Sequence, residues 1–145
     1  MAEDFNTRIV REFRENKGRV GEPFEGLPML LMHHVGARTG TPRTTPLRWF
    51  DDDGRYVVVA SAAGDPENPA WYHNLKANPN VTAAVADGGG YVQTVQVHAE
   101  ELTGDERERI WTTIKDNNGG FADYEKKARG RTIPLIALTP REQAW

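Results

Sequence analysis

Three arginines lie close together in a short segment between two predicted strands. The segment "VGARTGTPRTTPL" contains Arg38 and Arg43, and Arg48 follows directly. Gly36 and Gly40 allow close backbone approach, so amide N–H groups and guanidinium groups can face one anion. Charged hydrogen bonds of this kind contribute about 1.5 to 3 kcal/mol each. The segment therefore predicts an anion site, with solvated arginines on a hairpin loop as the alternative.

Other familiar reactive patterns are missing from the sequence. The chain has no cysteine, and its single serine, Ser61, is not part of a G-x-S-x-G motif. Neither of the glycine-rich nucleotide motifs, G-x-x-x-x-G-K-[ST] and G-x-G-x-x-G, occurs. His33 and His34 are adjacent in a predicted strand and point to opposite faces, so they cannot hold one metal together. His73 and His98 have no partner at ligand spacing, and we predict no metal site.

The composition limits the classes of partner. The chain has 145 residues and a formal net charge of -3, which suits one domain with a real core. Nucleic-acid binding requires a basic surface, so we predict a small-molecule ligand and no nucleic acid. The N-terminus lacks the apolar region of a signal peptide, and no apolar run is long enough to span a bilayer. We therefore expect a cytoplasmic protein.

The first segment predicts an amphipathic helix. Phe5, Ile9 and Phe13 recur four residues apart among charged residues, within residues 1–20. The apolar stripe of this helix packs on the rest of the protein or, alternatively, contacts a membrane surface or a partner. Residues 21–145 then form a single domain.

Six strands are predicted, and most of them follow one another as hairpins. The run "RYVVVASA" is apolar on both faces and is predicted to be central, whereas Pro134 is predicted to confine the last strand to an edge or a bulge. Val95, Val97 and Ala99 are predicted to share one face. The pattern favours a mainly β fold with added helices, in which a six-stranded antiparallel sheet curls into a barrel. The strand segments are LPMLLMHH, TTPLRWF, RYVVVASA, NVTAAVA, YVQTVQVHAE and RTIPLIALTP.

Two further helices are predicted from their caps. Asn68 as N-cap and Pro69 in the first helical position begin the segment "PAWYHNLKANP". Thr103 and Glu106 have the spacing of a capping box at the start of the next helix. The pair Gly119–Gly120 is predicted to break that helix before the polar segment "FADYEKKARG".

Three segments of the chain resemble segments of one known family, and they occur in the same order as in that family. They are "GARTGTPRTTPL", "YVVVASAAGDPENPAWYHNLKANPNV" and "FADYEKKARGRTIPLIAL". Together, from about Leu30 to Leu138, they resemble the deazaflavin-dependent nitroreductase family, whose members use coenzyme F420. The pattern N-P-x-W-Y-x-N-L-x-A-N-P is the most specific part. The resemblance implies the FMN-binding split-barrel-like fold, which agrees with the predicted strands.

The resemblance also implies which residues bind the cofactor. The phosphate and acidic tail would lie against the arginine hairpin, the deazaflavin ring would border a strand, and the N-terminus of the short helix would close the other side. In that order, these residues are Ala37, Arg38, Thr39, Arg43, Thr44, Thr45, Pro46 and Leu47, then Val59, Ala60, Ser61 and Ala62, and finally Ala70, Trp71, Tyr72, His73 and Asn74.

The implied reaction is hydride transfer from reduced F420 to a small electron-poor acceptor, such as a quinone, a nitroaromatic or an enone. Tyr124 would act beside the acceptor as hydrogen-bond donor or proton source, and Ser61 would bond near the ring. Arg48 and Phe121 would line the acceptor side with Tyr124. Ala62 stands where many family members have lysine. FMN in the same pocket and a non-catalytic deazaflavin carrier stay open as alternatives, as does a homodimer.

Overall fold

The computed structural model describes residues 5–21, 27–60, 68–86, 91–117, 119–127 and 132–141. Within these ranges the fold is mainly β, with four helices and seven strands. The helices are α1 (Phe5–Glu15), α2 (Ala70–Ala77), α3 (Gly104–Asn117) and α4 (Gly119–Lys127). The strands are β1 (Met29–Val35), β2 (Pro42–Arg48), β3 (Phe50–Asp52), β4 (Arg55–Val59), β5 (Asn80–Ala86), β6 (Val92–Glu101) and β7 (Leu135–Pro140).

All these strands form one antiparallel sheet in the order β2-β1-β5-β6-β7-β4-β3. The predicted number of six strands is wrong because the segment "TTPLRWF" belongs to two strands. The main-chain N–H of Trp49 still bonds to the carbonyl of Pro28, at 3.1 Å, beside β1. Phe50 then pairs with Val57 of β4. Only Trp49 separates β2 from β3, at opposite ends of the strand order, so the sheet must curl.

The inner face of the curled sheet holds the largest core, which we call the inner core. Alternate residues of the strands point into it, as the period of a pleated strand requires. Helix α2 covers this face with Trp71 and Leu75, and Val95 packs beside Val97 and Ala99 as predicted. The buried members are Leu30, Met32, Val58, Ala60, Trp71, Leu75, Val81, Ala83, Val85, Val97, Ala99, Ile136 and Leu138.

Two groups of helices cover the outer face. Ile9 and Phe13 of α1 pack on Met29 and Leu31 of β1, whereas Phe5, the third residue of the apolar stripe, is 48% exposed. Helices α3 and α4 pack on β4 and β7 through a second cluster, the outer core. Its buried members are Val57, Leu102, Ile110, Trp111, Ile114, Ile133, Leu135 and Ala137. Among the described residues, no helix is long and apolar enough to cross a membrane.

Three local predictions are wrong. The last strand lies inside the sheet, between β6 and β4, because Pro134 precedes β7 and uses only its carbonyl, which accepts from the Ala60 N–H. Helix α2 begins one residue later than predicted, with Pro69 as its N-cap and no side-chain cap bond. Helix α3 ends at Asn117, next to the predicted break, but the segment "FADYEKKARG", for which no helix was predicted, is helical in its described part as α4, which begins at Gly119. Packing of α4 on α3 outweighs the low helix propensity of glycine there.

Candidate functional site

The arginine segment forms the tight connection between β1 and β2. The Gly36 N–H donates to the Thr41 carbonyl and the Gly40 N–H donates to the Gly36 carbonyl, both at 2.9 Å. Gly40 has φ +67°, which favours glycine. A Cβ on Gly36 would lie 2.7 Å from the Thr39 hydroxyl. The loop therefore has a close-packed backbone that larger residues would distort.

Arg38 and Arg43 are exposed on this hairpin. Neither makes an ion pair or a side-chain hydrogen bond with any residue that the structure describes. This is unlike Arg11, which pairs with Glu15 at 3.3 Å, and Arg109, which pairs with Asp52 at 3.3 Å. The hairpin thus presents two cations whose charge is not compensated within the described part of the chain.

A buried polar chain joins the hairpin to α2. His34 and Asn74 are only 5% and 6% exposed. The Ala37 N–H donates to Asn74 Oδ1 at 2.9 Å, and Asn74 Nδ2 lies 3.1 Å from His34 Nδ1. His34 Nε2 lies 2.8 Å from the Thr45 hydroxyl. We call Thr45, His34, Asn74 and Ala37 the hairpin network. It fixes the start of the loop relative to the helix.

Burial and neighbouring charges keep both adjacent histidines neutral. Desolvation is the largest cause that lowers the pKa of His34, the positive charge of Arg43 lowers it further, and His33 adds to this when its own ring is protonated. Desolvation also lowers the pKa of His33, together with Arg14, and the ring of His33 contacts the Thr44 hydroxyl at 3.2 Å. The two rings use different threonines on β2, as expected for opposite strand faces.

The other residues predicted on α2 differ in their exposure. Trp71 is buried in the inner core, whereas Ala70 and His73 are exposed. The Tyr72 hydroxyl donates to Glu101 on β6 at 2.6 Å. Burial and this hydrogen bond raise the pKa of Tyr72 to about 12, so Tyr72 is a poor acid at neutral pH.

The predicted substrate residues form a row on the outer face. The Arg48 guanidinium lies 4.7 Å from the centre of the Phe50 ring. Phe50 meets Phe121 at 5.7 Å between ring centres, and Phe121 meets Tyr124 at 5.9 Å. Arg48, Phe50, Phe121 and Tyr124 are called the aromatic row below. Tyr124 stands at its exposed end, with 36% of its surface accessible.

A cavity of about 530 Å³ adjoins this row between β3 and α3. Its walls include Arg48, Trp49 and Phe50 from the strands and Ile110 and Ile114 from the helix. The indole N–H of Trp49 is buried and has no hydrogen-bond partner among the described residues. A buried donor without an acceptor costs about 1 to 3 kcal/mol, so this atom is a candidate contact for a ligand oxygen.

The structure divides the predicted site residues between the two faces of the sheet. Val58 and Ala60 belong to the inner core with α2, whereas Val57 and Val59 pack in the outer core with α3 and α4. The hairpin network contacts α2, and the aromatic row contacts α4. Strand β2 joins the two groups, because it carries Thr45 of the network and Arg48 of the row, and Trp49 directly after it packs on the inner core and lines the cavity. The predicted residues Ser61 and Ala62 lie outside the described residues.

Sequence reasoning considered His34 and Trp49 but did not assign either of them to the site. His34 is set apart only by its strand position, where it follows the inner-core residues Leu30 and Met32 at intervals of two. That alternation predicts a buried imidazole but no partner. The residues around Trp49 do not indicate that its indole N–H lacks a partner among the described residues. That feature depends on the change of strand partner at this position, which is a property of the fold.

The comparisons with known proteins agree on one family. A model of the F420H(2)-dependent quinone reductase family matches residues 6–140. The chain belongs to this family. It is therefore an oxidoreductase that uses coenzyme F420, and the predicted resemblance is confirmed.

Relatives match over most of the chain. An F420H(2)-dependent quinone reductase of Mycobacterium tuberculosis is 39% identical over 133 residues, which cover 89% of this chain and 85% of that relative. A solved F420-H2 dependent reductase, FDR-A, is 35% identical with a TM-score of 0.64, over 76% of this chain and 92% of that one. A solved structure described as a domain-swapped dimer is 33% identical with a TM-score of 0.65, over 89% and 96%.

Proposed function

We propose that this protein transfers a hydride from reduced F420 to a quinone-like acceptor, with the cofactor tail on the arginine hairpin and the acceptor in the cavity beside the aromatic row. Hydride transfer requires contact between the deazaflavin ring and the acceptor, so the ring would extend along β2 from the hairpin to Trp49, which packs on the inner core and lines that cavity. The observation that carries the proposal is the pair of exposed arginines, Arg38 and Arg43, which form no ion pair with any described residue, on a hairpin that Asn74 fixes to α2. Reduced F420 supplies the hydride when bound, and the protein supplies position and polarity.

The hairpin fits the anionic part of the cofactor. Arg38 and Arg43 can each donate two parallel N–H bonds to a phosphate, and no described carboxylate competes for them. Gly36 packs closely against the Thr39 hydroxyl, so the absence of a side chain there keeps the hairpin compact. We expect Thr45 to contribute its hydroxyl from the same strand face as Arg43.

A groove on the other side of β2 extends this positive surface. It has a volume of about 520 Å³ and lies between α1 and Thr44. Arg14 lines it and makes no ion pair with a described residue, whereas Arg11 is held by Glu15. We propose that the acidic tail of the cofactor continues along this groove. The variant Arg14→Gln should then raise the Kd for F420 with a long acidic tail more than the Kd for F420 with a short one.

The cavity beside the aromatic row fits a flat, apolar acceptor. Phe50, Ile110 and Ile114 offer apolar contact, and Trp49 offers a buried N–H to a carbonyl oxygen. A quinone that accepts one hydride also takes up one proton to form the hydroquinone. Tyr124 at the exposed end of the row is our candidate for delivering that proton, either directly or by orienting water.

We further propose that the curled sheet is the split barrel of the prediction and that two copies of the chain assemble. The similar structure described as a domain-swapped dimer supports a homodimer. Membrane contact through α1 gains no support, because Ile9 and Phe13 are buried against β1. Size-exclusion chromatography with light scattering tests the dimer, and a monomer at micromolar concentration would contradict it.

The proposed function is tested with the purified protein, F420H2, and menadione as the acceptor. We expect saturable oxidation of F420H2 that depends on protein and menadione. The variants Arg38→Gln and Arg43→Gln should each raise the Kd for F420 about 10- to 100-fold, from the loss of one charged hydrogen-bonding group. The increase should be smaller at high salt, where the wild-type affinity is itself reduced.

Lys115→Gln is the matched control, because Lys115 pairs with Glu125 and lines neither the groove nor the cavity. It should leave the Kd for F420 unchanged. Micromolar binding of FMN with no binding of F420 would favour the flavin alternative and refute the proposal. Tight F420 binding without faster oxidation by menadione would leave the carrier alternative instead.

A further inference from the structure

We propose that His34 is a positioning residue for the cofactor site: its neutral ring, with hydrogen on Nε2, orients the Asn74 amide so that the hairpin is held in the phosphate-binding geometry. This inference rests on the proposed function and goes beyond it. His34 is buried, and its ring bonds to Thr45 of the hairpin and to Asn74 of α2, so it acts through these two residues.

Only one arrangement of hydrogens satisfies the whole network. The Ala37 main-chain N–H can only donate, so the atom of Asn74 that it meets is the amide oxygen. The Asn74 NH2 group therefore faces His34 Nδ1, which must accept. The hydrogen of the neutral ring then lies on Nε2 and donates to the Thr45 oxygen. The hydroxyl hydrogen of Thr45 is left to donate to another acceptor, and a phosphate oxygen is one.

Protonation of His34 breaks this arrangement. An imidazolium carries N–H groups at both positions, so Nδ1–H would point at the Asn74 NH2 group. Turning the amide by 180° would repair that contact, but it would then set the NH2 group against the Ala37 N–H. Either orientation leaves two donors facing each other inside the protein, at a cost of about 1 to 3 kcal/mol per unpaired group. The hairpin must then separate from α2.

The charges around His34 all favour the neutral ring. Arg43 faces it from β2 and His33 neighbours it on β1, while Asn74 and Thr45 are uncharged. None of the described carboxylates bonds to it. We therefore expect tight F420 binding at pH 7 and above, and loss of affinity as the pH falls through the His34 pKa, which lies below 6.5.

Two substitutions test the two bonds separately. In His34→Asn, the amide oxygen can replace Nδ1 and accept from Asn74, but the bond to Thr45 is lost. In His34→Gln, the amide nitrogen can replace Nε2 and donate to Thr45, but the acceptor for Asn74 is lost. The probes are F420 and its deazaflavin fragment without phosphate and tail, each titrated by fluorescence between pH 5 and pH 8.

For the wild type, we expect the Kd for F420 to increase by up to tenfold for each pH unit below the His34 pKa. Nitrogen-resolved NMR of the imidazole measures that pKa on the same protein. The Kd for the fragment should change less than twofold. Both variants should lose this pH dependence. His34→Gln should also weaken F420 binding at pH 7.5 by about tenfold, because it frees the Asn74 amide, and His34→Asn should weaken it less.

The NMR spectrum gives a readout without any ligand. It should show hydrogen on Nε2, and the Ala37 N–H should exchange faster with solvent in His34→Gln than in His34→Asn. Hydrogen on Nδ1, or a Kd for F420 that does not change across the measured pKa, would overturn the inference. If Arg38→Gln and Arg43→Gln leave the F420 affinity unchanged, the proposed function fails first. If those two variants do weaken F420 binding but His34→Gln keeps the wild-type pH dependence of the Kd, only the proposed role of His34 is refuted.

Discussion

The hairpin network and the aromatic row lie on opposite faces of the same sheet and are built from opposite kinds of contact. In the network, each polar atom of Asn74 and His34 has a defined partner at 2.8 to 3.1 Å. In the row, Arg48, Phe50 and Phe121 meet through ring faces and edges at 4.7 to 5.9 Å, and Tyr124 is exposed. Directional bonds in a buried place allow one geometry, whereas ring contacts tolerate small shifts.

This difference matches the two tasks that we propose for these regions. The cofactor is the same molecule in each turnover, so a fixed hairpin avoids the entropy of ordering the loop on binding. An acceptor pocket lined by aromatic rings and aliphatic side chains favours acceptors that are flat and of low polarity. The comparison predicts that changes in the network alter cofactor affinity and stability, and that changes near the row alter acceptor kinetics.

The largest effect is expected from Asn74→Ala. This variant leaves His34 Nδ1 and the Ala37 N–H without their partners, at about 1 to 3 kcal/mol each. We expect the free energy of unfolding to fall by about 3 kcal/mol in urea titrations. The matched control is His73→Ala, an exposed position on the same helix, which should change it by less than about 0.5 kcal/mol. Equal effects of the two variants would contradict the proposed fixing of the hairpin.

A smaller effect, confined to the acceptor reaction, is expected from Tyr124→Phe. Removal of the hydroxyl should lower kcat/KM for menadione about tenfold, as for loss of one hydrogen bond in the transition state. The Kd for F420 should stay within twofold of the wild type, because Tyr124 lies across the sheet from the hairpin network. An unchanged kcat/KM would make Tyr124 a packing residue of the row and no more.

The pH dependence of stability provides a third test, on the network alone. Burial lowers the pKa of His34, so the unfolded chain binds this proton more readily than the folded one. The wild type should therefore be most stable above pH 6.5 and lose up to about 1.4 kcal/mol per pH unit below it. His34→Gln lacks this titration, so its difference from the wild type should shrink as the pH falls. A constant difference between pH 5 and pH 8 would show that His34 does not titrate there.

The smallest effect is expected from Trp49→Phe. This variant removes the indole N–H that has no described partner and keeps an aromatic ring. If that N–H binds an acceptor oxygen, KM for menadione should rise about threefold. The free energy of unfolding should fall only by the small cost of the smaller ring, because the indole N–H makes no hydrogen bond with a described residue. Steady-state kinetics and urea unfolding measure the two quantities. A fall in stability with an unchanged KM would assign Trp49 to packing against Tyr56.

Much of the fold could be predicted because local patterns agree with the tertiary contacts. The apolar repeat of Ile9 and Phe13 does face β1, and Val95, Val97 and Ala99 do share one face. Errors arose where a distant element decides the outcome. The run through Trp49 reads as one strand, yet it changes partner from β1 to β4. The polar segment after Gly120 carries no strong helical pattern, yet it is helical in α4, where Phe121 packs on Trp111.

The site shows the same division. Residue types and the order of the motifs identified the arginine hairpin and the family, because a ligand's charge and a family's motif are properties of the chain itself. Which atoms meet was decided only in three dimensions. Asn74 comes forty positions after His34 in the sequence, and the fold brings Asn74 Nδ2 to 3.1 Å from His34 Nδ1. Hydrogen bonds depend on distances of a few tenths of an ångström, and only the packing of α2 on the curled sheet sets such distances.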